Sequence, residues 1–133
     1  MKNRFLESAA GVLETDDVGF DTDFRSLPGW CSLQGFGLLV MMENDWDAPL
    51  KLDDFLKMER VGELYEYAFV SFAAKLLGVS PETLKGAAYG QIPEWDSVNH
   101  IRLAMEAEKR FAVSYPIERI PEMRTVRDFL SQG

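Results

Sequence analysis

The sequence predicts an all-α protein in which one small helical domain occurs twice in tandem. Three observations predict it. A set of residues recurs 65 positions apart, no segment alternates steadily between apolar and polar residues, and a central segment lacks any helix breaker. Half-buried strands alternate with period two, whereas amphipathic helices repeat their apolar residues every three or four positions. We expect a first copy over residues 1–67 and a second copy over residues 68–133.

The internal repeat is the strongest of these observations. Every matched pair is 65 residues apart, and no insertion is needed anywhere in the matched stretch. Chance is a poor explanation for such a pattern. The pairs are Pro28 with Pro93, Trp30 with Trp95, Ser32 with Ser97, Leu38 with Leu103, Glu43 with Glu108, Trp46 with Phe111, Met58 with Met123, Val61 with Val126 and Glu63 with Asp128.

Both copies have the same predicted order of elements. A first helix is followed by a loop rich in Gly, Pro, Asp and Ser, a second helix, a short third segment and a last helix. In copy two the apolar residues Val98, Ile101 and Met105 of the second helix lie near helical spacing. The predicted boundaries are a first helix ending at Leu13 or Leu77, a second helix from Ser32 to Trp46 or from Ser97 to Phe111, a third segment over residues 53–58 or 116–123, and a last helix starting at Val61 or Val126.

The two copies are joined without a linker. Residues 63–77 contain neither Pro nor Gly, and Gly78 then supplies a C-terminal stop. The second half of this segment is apolar nearly all round, which indicates burial on every side. We therefore expect the last helix of copy one to continue directly into the first helix of copy two. A kink near Ala68 is the alternative.

Composition limits the classes of partner. The chain has 22 acidic and 14 basic residues, a net charge of −8, which argues against nucleic acid and favours partners with basic patches. The only cysteine, Cys31, allows no intramolecular disulfide and suits a reducing compartment. Glu7 interrupts the region that a signal peptide would need, and the longest apolar run is too short to cross a bilayer. We expect a soluble, cytoplasmic monomer that does not insert into membranes.

The tripeptide Asp96-Ser97-Val98 stands at the predicted start of a helix. Asp is a strong N-cap residue, since its carboxylate accepts hydrogen bonds from the free N–H groups of the first turn. The serine behind it would lie in that turn, with its hydroxyl close to solvent. A phosphate esterified there would sit near the positive end of the helix dipole. Ser and Asp are also common at ordinary helix starts, so the tripeptide alone is weak evidence.

The order of elements around this tripeptide resembles the acyl carrier protein family, including its peptidyl and aryl carriers. The resemblance covers both copies. In copy two it depends on LGVSPETL, EWDSVNHI, AMEAEKRFAVSYP and RTVRDFL, and in copy one on DTDFRSLPGWCSL, LLVMMENDW and RVGELYEY.

This resemblance implies a four-helix bundle in each copy and no catalysis by the chain itself. It implies that a phosphopantetheinyl transferase attaches 4′-phosphopantetheine from coenzyme A to Ser97, which matches the attachment serine with Asp96 before it. Ser32 holds the same position in copy one. The thiol of the arm would hold an acyl or aminoacyl group as a thioester, for loading and processing enzymes of fatty acid or secondary metabolite biosynthesis that have basic docking surfaces.

Copy one departs from the pattern at Cys31, which replaces the aspartate of the family. A thiol is a weak acceptor and caps a helix poorly. Ser32 is therefore either unmodified or modified despite this change. A nucleophilic role for Cys31 is not expected, because no base is near it in the sequence. Gly35 and Gly37 lie early in the same helix. They predict that another element packs closely there, and the other copy is a candidate for it. The alternative is that the sequence has drifted in a copy that is kept only for its structure.

Charge is distributed unevenly between the copies. Residues 1–67 hold 14 acidic and 6 basic residues, whereas residues 68–133 hold 8 of each. One hypothesis is a division of labour, in which copy two bears the arm and copy one docks partners. The alternative is that surface charge has simply varied. The main alternative to a carrier is an interaction module that is never modified.

Other candidate site residues carry less weight. His100, the only histidine, would contact the phosphate of the arm or, more simply, be a solvated surface residue. Four aspartates between Asp16 and Asp23 lack the spacing of a calcium loop. We expect no metal site and no enzymatic activity, because the sequence assembles no catalytic triad and no phosphate-binding loop.

Overall fold

The computed structural model describes residues 3–132, with side chains through Ser131, and its regular structure is helical. The prediction of an all-α fold is confirmed: residues 3–132 contain no strand beyond an isolated bridge between Asp23 and Arg60. None of the helices in this range is long and apolar enough to cross a bilayer. The α-helices are α1 (Arg4–Leu13), α2 (Ser32–Asn44), α3 (Leu52–Phe55), α4 (Val61–Leu77), α5 (Pro81–Lys85), α6 (Ser97–Phe111) and α7 (Val126–Gln132), and 3-10 helices cover Phe24–Ser26 and Ile120–Glu122.

The chain divides into two compact units. The first unit is Phe5–Ala68, and the second unit runs from Phe69 onward and includes Asn3 and Arg4. The division falls between Ala68 and Phe69, inside α4, and the boundary expected from the sequence lies between residues 67 and 68. That each unit is a carrier domain stays a prediction.

The starts of the principal helices lie where the repeat predicts them. Helices α2 and α6 begin at Ser32 and Ser97, and α4 and α7 begin at Val61 and Val126. Helix α6 also ends at Phe111 as predicted, where Ala112 takes the left-handed conformation. Helix α2 ends at Asn44, two residues before its predicted end, because the backbone turns at Asp45 and Trp46.

Helix α4 is uninterrupted over 17 residues from Val61 to Leu77, as the absence of helix breakers predicts. Most of its apolar residues, among them Leu64, Ala68 and Ala73, are buried. The helix stops at Gly78, whose φ of 75° is the left-handed conformation that glycine adopts without a Cβ penalty. The N–H groups of Gly78 and Val79 both donate to the carbonyl of Ala74 and close the end.

Each unit has its own aromatic core. In the first unit the Phe5 and Trp46 ring centroids are 5.2 Å apart, and Phe24 stacks on Phe55 at 5.6 Å. In the second unit the Phe69 ring is 5.6 Å from Phe111 and 5.8 Å from Phe129. Such separations are typical of favourable aromatic pairs.

The two glycines early in α2 are explained by neighbours within the first unit. A Cβ on Gly35 would lie 3.3 Å from Cη2 of Trp30, and a Cβ on Gly37 would lie 2.9 Å from Cγ1 of Val12. At Gly37 the helices α1 and α2 approach too closely for a Cβ unless a neighbour shifts, and at Gly35 the Trp30 ring leaves little space. The expected close packing therefore occurs, and its partners belong to the same copy.

The loops before the second helices are more ordered than the sequence predicts. The first contains the 3-10 helix at Phe24–Ser26, and the second contains α5. Ser80 is the N-cap of α5 and accepts a hydrogen bond from the N–H of Thr83 at 3.2 Å, with Pro81 in the first turn. A Ser-Pro pair favours the start of a helix, and assigning this stretch as a loop from its composition alone misses that signal.

Candidate functional site

The candidate site lies at the start of α6, where Asp96 is the N-cap residue. Its Oδ1 accepts a hydrogen bond from the N–H of Asn99 at 2.9 Å. The side chain of Asn99 in turn donates to the carbonyl of Glu94 at 2.9 Å. These bonds pair an otherwise free N–H of the first turn and hold the entering loop against the helix.

Ser97 is the first residue of α6 and is exposed to solvent. Its neighbours Asp96 and Val98 are exposed as well, so a large group has access to the hydroxyl. Asp96 and Ser97 therefore lie at the helix start where the sequence predicts them, and their role as an attachment site stays a prediction. A phosphate ester on this oxygen would project from the positive end of the helix dipole.

Trp95 and His100 anchor this helix start from beneath. Both side chains are buried, and Nε1–H of Trp95 donates to Nδ1 of His100 at 3.0 Å. Because Nδ1 accepts that bond, Nε2 bears the hydrogen and donates to the carbonyl of Ile120 at 2.7 Å. The imidazole also stacks on Tyr89, with ring centroids 4.0 Å apart. His100 is thus a neutral imidazole with both nitrogens bonded.

The expectation that His100 is a solvated residue is wrong. Its side chain is only 2% exposed, and the segment around Ile120 covers it, so it cannot share a solvent face with Ser97. Burial lowers the pKa of His100 below 6.5. The hydrogen bond to Ile120 opposes this shift, and the charge of Arg124 adds to it. Inside the fold, the histidine joins Trp95 to the carbonyl of Ile120.

The corresponding start of α2 has the same register and different chemistry. Ser32 is the first residue of α2 and is exposed. Cys31 is the N-cap, also exposed, and its side chain makes no capping hydrogen bond. The cap that Asp96 supplies in the second unit is therefore missing here, as the sequence predicts.

An arginine in the first unit makes contacts that correspond to those of His100 in the second. Gly35 is the equivalent of His100 at the offset of 65, and the Trp30 ring packs closely against it. The guanidinium carbon of Arg25 lies 5.9 Å from the Trp30 ring centroid and 5.3 Å from that of Phe55.

Arg25 also bonds the carbonyl that corresponds to the one His100 bonds. Its Nη2 donates to the carbonyl of Phe55 at 2.9 Å, and its Nε donates to that of Met58 at 2.8 Å. Phe55 and Ile120 are equivalent positions of the repeat. The first unit therefore bonds this carbonyl with an arginine side chain, and the second unit bonds it with an imidazole. No local pattern in the sequence indicated Arg25.

In each unit, a carboxylate at an equivalent position caps the last helix. In the first unit Oε1 of Glu63 accepts hydrogen bonds from the N–H groups of Glu59 and Arg60, both at 3.0 Å. In the second unit Oδ2 of Asp128 accepts from Arg124 at 2.8 Å and Thr125 at 3.1 Å. The bond from the N–H of Arg124 is the main reason that the pKa of Asp128 is lowered. Glu63 and Asp128 are a matched pair of the repeat.

An exposed row of apolar side chains follows each of the two serines. On α2, Leu33, Phe36 and Val40 are 78%, 65% and 38% exposed, and we call them the first stripe. On α6, Val98, Ile101 and Met105 are 72%, 52% and 51% exposed, and we call them the second stripe. Members of each stripe are three and four residues apart and so share one helix face.

The two stripes occupy equivalent positions, each member of the first lying 65 residues before a member of the second. Leu52 and Ile117, a further pair at this offset, are exposed too. Helix α2 is apolar around most of its circumference, with Leu38, Leu39, Met41 and Met42 along it. In the structure Leu38, Met41 and Met42 are buried, while the first stripe faces solvent.

Acidic side chains form no metal site in residues 3–132, where no group of three His, Cys, Asp or Glu residues could hold an ion. Of the aspartates near the start of the chain, Asp23 caps the 3-10 helix at Phe24–Ser26 by accepting from the N–H of Arg25 at 3.0 Å.

Comparisons with protein-family models, with curated proteins and with solved structures found no match to this chain. The resemblance to carrier proteins therefore depends on the chain's own motifs and on the site described above.

Proposed function

We propose that this protein is a tandem acyl carrier protein that bears 4′-phosphopantetheine on Ser97. One observation carries the proposal: an exposed serine directly follows a capping aspartate at the start of a long helix, and the same register occurs 65 residues earlier. A phosphopantetheinyl transferase would be the modifying partner, and biosynthetic enzymes in the cytoplasm would load and process the cargo.

The residues present fit such a group. The exposed oxygen of Ser97 is the attachment point, and the capping bond of Asp96 holds the backbone that presents it. The N-terminal end of α6 would stabilise a phosphate on Ser97 by about 0.3–1 kcal/mol. When bound, the group supplies a terminal thiol that holds an acyl or aminoacyl cargo as a thioester.

Ser32 is the second attachment site under this proposal, and the weaker one. Like Ser97, it is exposed at the start of its helix, but Cys31 provides neither the carboxylate nor the capping bond of Asp96. If the modifying enzyme needs that carboxylate, only copy two bears an arm.

An interaction module without any modification is the alternative function. The exposed first stripe and second stripe favour it, since a row of apolar side chains on a solvent face is typical of a binding surface. The missing aspartate at Cys31 favours it for copy one.

Intact mass spectrometry separates these functions. The protein is incubated with coenzyme A and a broad-specificity phosphopantetheinyl transferase, and Ser97→Ala and Ser32→Ala are treated in parallel as matched variants. We expect a mass increase of one phosphopantetheine that disappears in Ser97→Ala and persists in Ser32→Ala. Two added groups would make both copies carriers. No added group would favour the interaction module.

A further inference from the structure

A hydrogen bond from Trp95 holds the loop that leads into Ser97 against α6. The indole is fully buried, and its Nε1–H donates to Nδ1 of His100 at 3.0 Å. The carbonyl of Trp95 accepts from the N–H of Gly90 at 3.0 Å, which closes the loop on itself. Asp96 and Ser97 follow directly in the chain. A displacement of Trp95 would therefore carry the cap and the serine with it.

His100 connects this loop to the segment after α6. Its Nε2–H donates to the carbonyl of Ile120 at 2.7 Å, in the 3-10 helix that follows. We call Trp95, His100 and Ile120 the imidazole bridge. The ring is confined on its other sides as well, since it stacks on Tyr89 at 4.0 Å and meets Phe129 at 5.5 Å. In a close-packed interior, the imidazole cannot turn away from either bond without moving its neighbours.

One charged side chain acts on the imidazole from the segment before α7. Burial, and after it the positive charge of Arg124, lower the pKa of His100, while the hydrogen bond to Ile120 raises it. Tyr89 faces the ring from the loop before α6. The other charged residues on the elements packed around the ring are exposed or bonded to backbone or to each other: Glu94, Asp96 and Arg102, Arg119 and Glu122, and Arg127 and Asp128.

Protonation affects the two bonds of the bridge in opposite ways. A proton from solvent adds to Nδ1, the nitrogen that accepts from Trp95, and the imidazolium then has a donor at both nitrogens. The indole N–H and the new Nδ1–H face each other, so the bond to Trp95 is lost. The bond to Ile120 is strengthened, because its donor is now charged. Acid therefore releases the loop before Ser97 and leaves the 3-10 helix attached.

The start of α2 has no titratable group of this kind. Gly35 stands at the position of His100, and the carbonyl of Phe55 accepts from the guanidinium of Arg25. Arginine does not lose its proton in proteins, and His100 is the only histidine of the chain. Near neutral pH, this change therefore belongs to the start of α6.

We propose that His100 is a positioning residue for Ser97, whose proton state decides whether the loop before Ser97 is held. With a neutral ring the bridge is complete. With a charged ring Trp95 is released and the loop moves away from α6. The consequence for modification rests on the proposed function: the held arrangement is the one that the phosphopantetheinyl transferase modifies. The bridge itself can be tested without a transferase.

The tryptophan indole signals of the labelled whole chain test the bridge. On titration from about pH 8 to about pH 5, we expect the Trp95 signal to move with the same midpoint as the imidazole of His100, and its hydrogen-exchange protection to fall about tenfold or more. The signal of Trp30 is the internal control and should not follow this midpoint. Amide protection of Glu122 and Met123 should change less than about twofold, because the bond to the 3-10 helix persists.

Two variants separate the proton from the packing. His100→Gln keeps an acceptor and a donor on a side chain that does not titrate, so the Trp95 signal should no longer depend on pH. His100→Phe keeps an aromatic ring without either bond, so the Trp95 signal should resemble the acid form at every pH. If His100→Phe does not fold, the comparison with His100→Gln decides alone.

Transfer of phosphopantetheine to Ser97 measures the consequence for modification. The kcat/KM of the transferase is determined for the unchanged protein and for His100→Gln at the same pH, so that the pH dependence of the enzyme itself cancels. The ratio of the two values should fall about fivefold or more from about pH 7.5 to about pH 5.5. If no variant is modified at all, the proposed function is contradicted, and the Trp95 spectra still decide the role of His100.

Four results would overturn the proposal. The first is a Trp95 signal that does not respond when His100 titrates, and the second is the same pH dependence in His100→Gln. The third is a loss of protection at Glu122 and Met123 together with Trp95, which would indicate general unfolding of the second unit. The fourth is a ratio of kcat/KM values that stays constant with pH while Ser97 is modified.

Discussion

At the scale of single residues, the helix starts at Ser32 and Ser97 are equivalent in position and differ in the side chains around them. Each places a serine at the first position of a helix over a buried or half-buried tryptophan. In the second unit an aspartate caps the helix and a neutral imidazole supports it. In the first unit a cysteine leaves the cap unfilled and an arginine supplies the support. The differences concern hydrogen bonds and charge, and the backbone register is shared.

His100 should make the second unit sensitive to acid. Its pKa in the folded protein lies below the 6.5 of an unfolded chain, chiefly because of burial, so the unfolded state takes up the proton first. The contribution of His100 to the free energy of unfolding is complete above pH 6.5 and is lost as the pH falls through the pKa of His100 in the folded protein. Protonation also removes the acceptor that Trp95 needs.

Because the chain has one histidine, its imidazole signals in an NMR titration between pH 8 and pH 4.5 are unambiguous. We expect a midpoint below 6.5, and a smaller loss of stability on acidification in His100→Gln than in the unchanged protein. A midpoint at or above 6.5 would contradict the buried, neutral imidazole.

The unfilled cap at Cys31 is a stability defect that one substitution should repair. Cys31→Asp should raise the free energy of unfolding by about 0.5–2 kcal/mol, since a carboxylate there can accept from the first turn as Asp96 does. Asp96→Ala is the converse change and should lower stability by a similar amount. Urea denaturation measures both, and a Cys31→Asp protein no more stable than the original would count against the comparison of the two caps.

At the scale of secondary-structure elements, the sequence predicted most of what the structure contains. The starts of α2, α4, α6 and α7 were predictable because a fixed offset of 65 combines with residues that begin helices. The continuity of α4 followed from the lack of Pro and Gly after Gly62.

What the sequence could not predict depends on long-range contacts. The burial of His100 requires the carbonyl of Ile120, which lies 20 residues away. For α2, apolar residues surround the helix, so periodicity alone could not say which side is covered and which forms the first stripe. The 3-10 helix at Phe24–Ser26 lay in a stretch whose composition is typical of a loop.

Packing between elements gives opposite expectations for two helical glycines. Gly37→Ala should destabilise the protein, because the new Cβ would lie 2.9 Å from Cγ1 of Val12. Gly11→Ala should stabilise it by about 0.5–1 kcal/mol, since nothing lies within 4 Å and alanine favours the helix. Thermal or urea unfolding of both variants measures the contrast. Equal gains in stability would show that α1 and α2 approach less closely than described.

At the scale of the whole molecule, the two copies share the same order of helices, but charge is distributed unequally between them. Both units have a carboxylate that caps the last helix, and both have an exposed row of apolar residues. Copy one, however, has the acidic surface, and copy two has the complete Asp-Ser motif. We propose that attachment and docking are divided between the two copies of a carrier, which would explain both facts.

Peptide mass mapping of the protein isolated from its own cells would show directly whether Ser97 bears the arm. Trypsin cleaves after Lys85 and Arg102, so Ser97 lies in a peptide with no other serine, and Ser32 lies in a separate peptide that follows Arg25. We expect phosphopantetheine on the peptide containing Ser97. Unmodified peptides for both serines would contradict it.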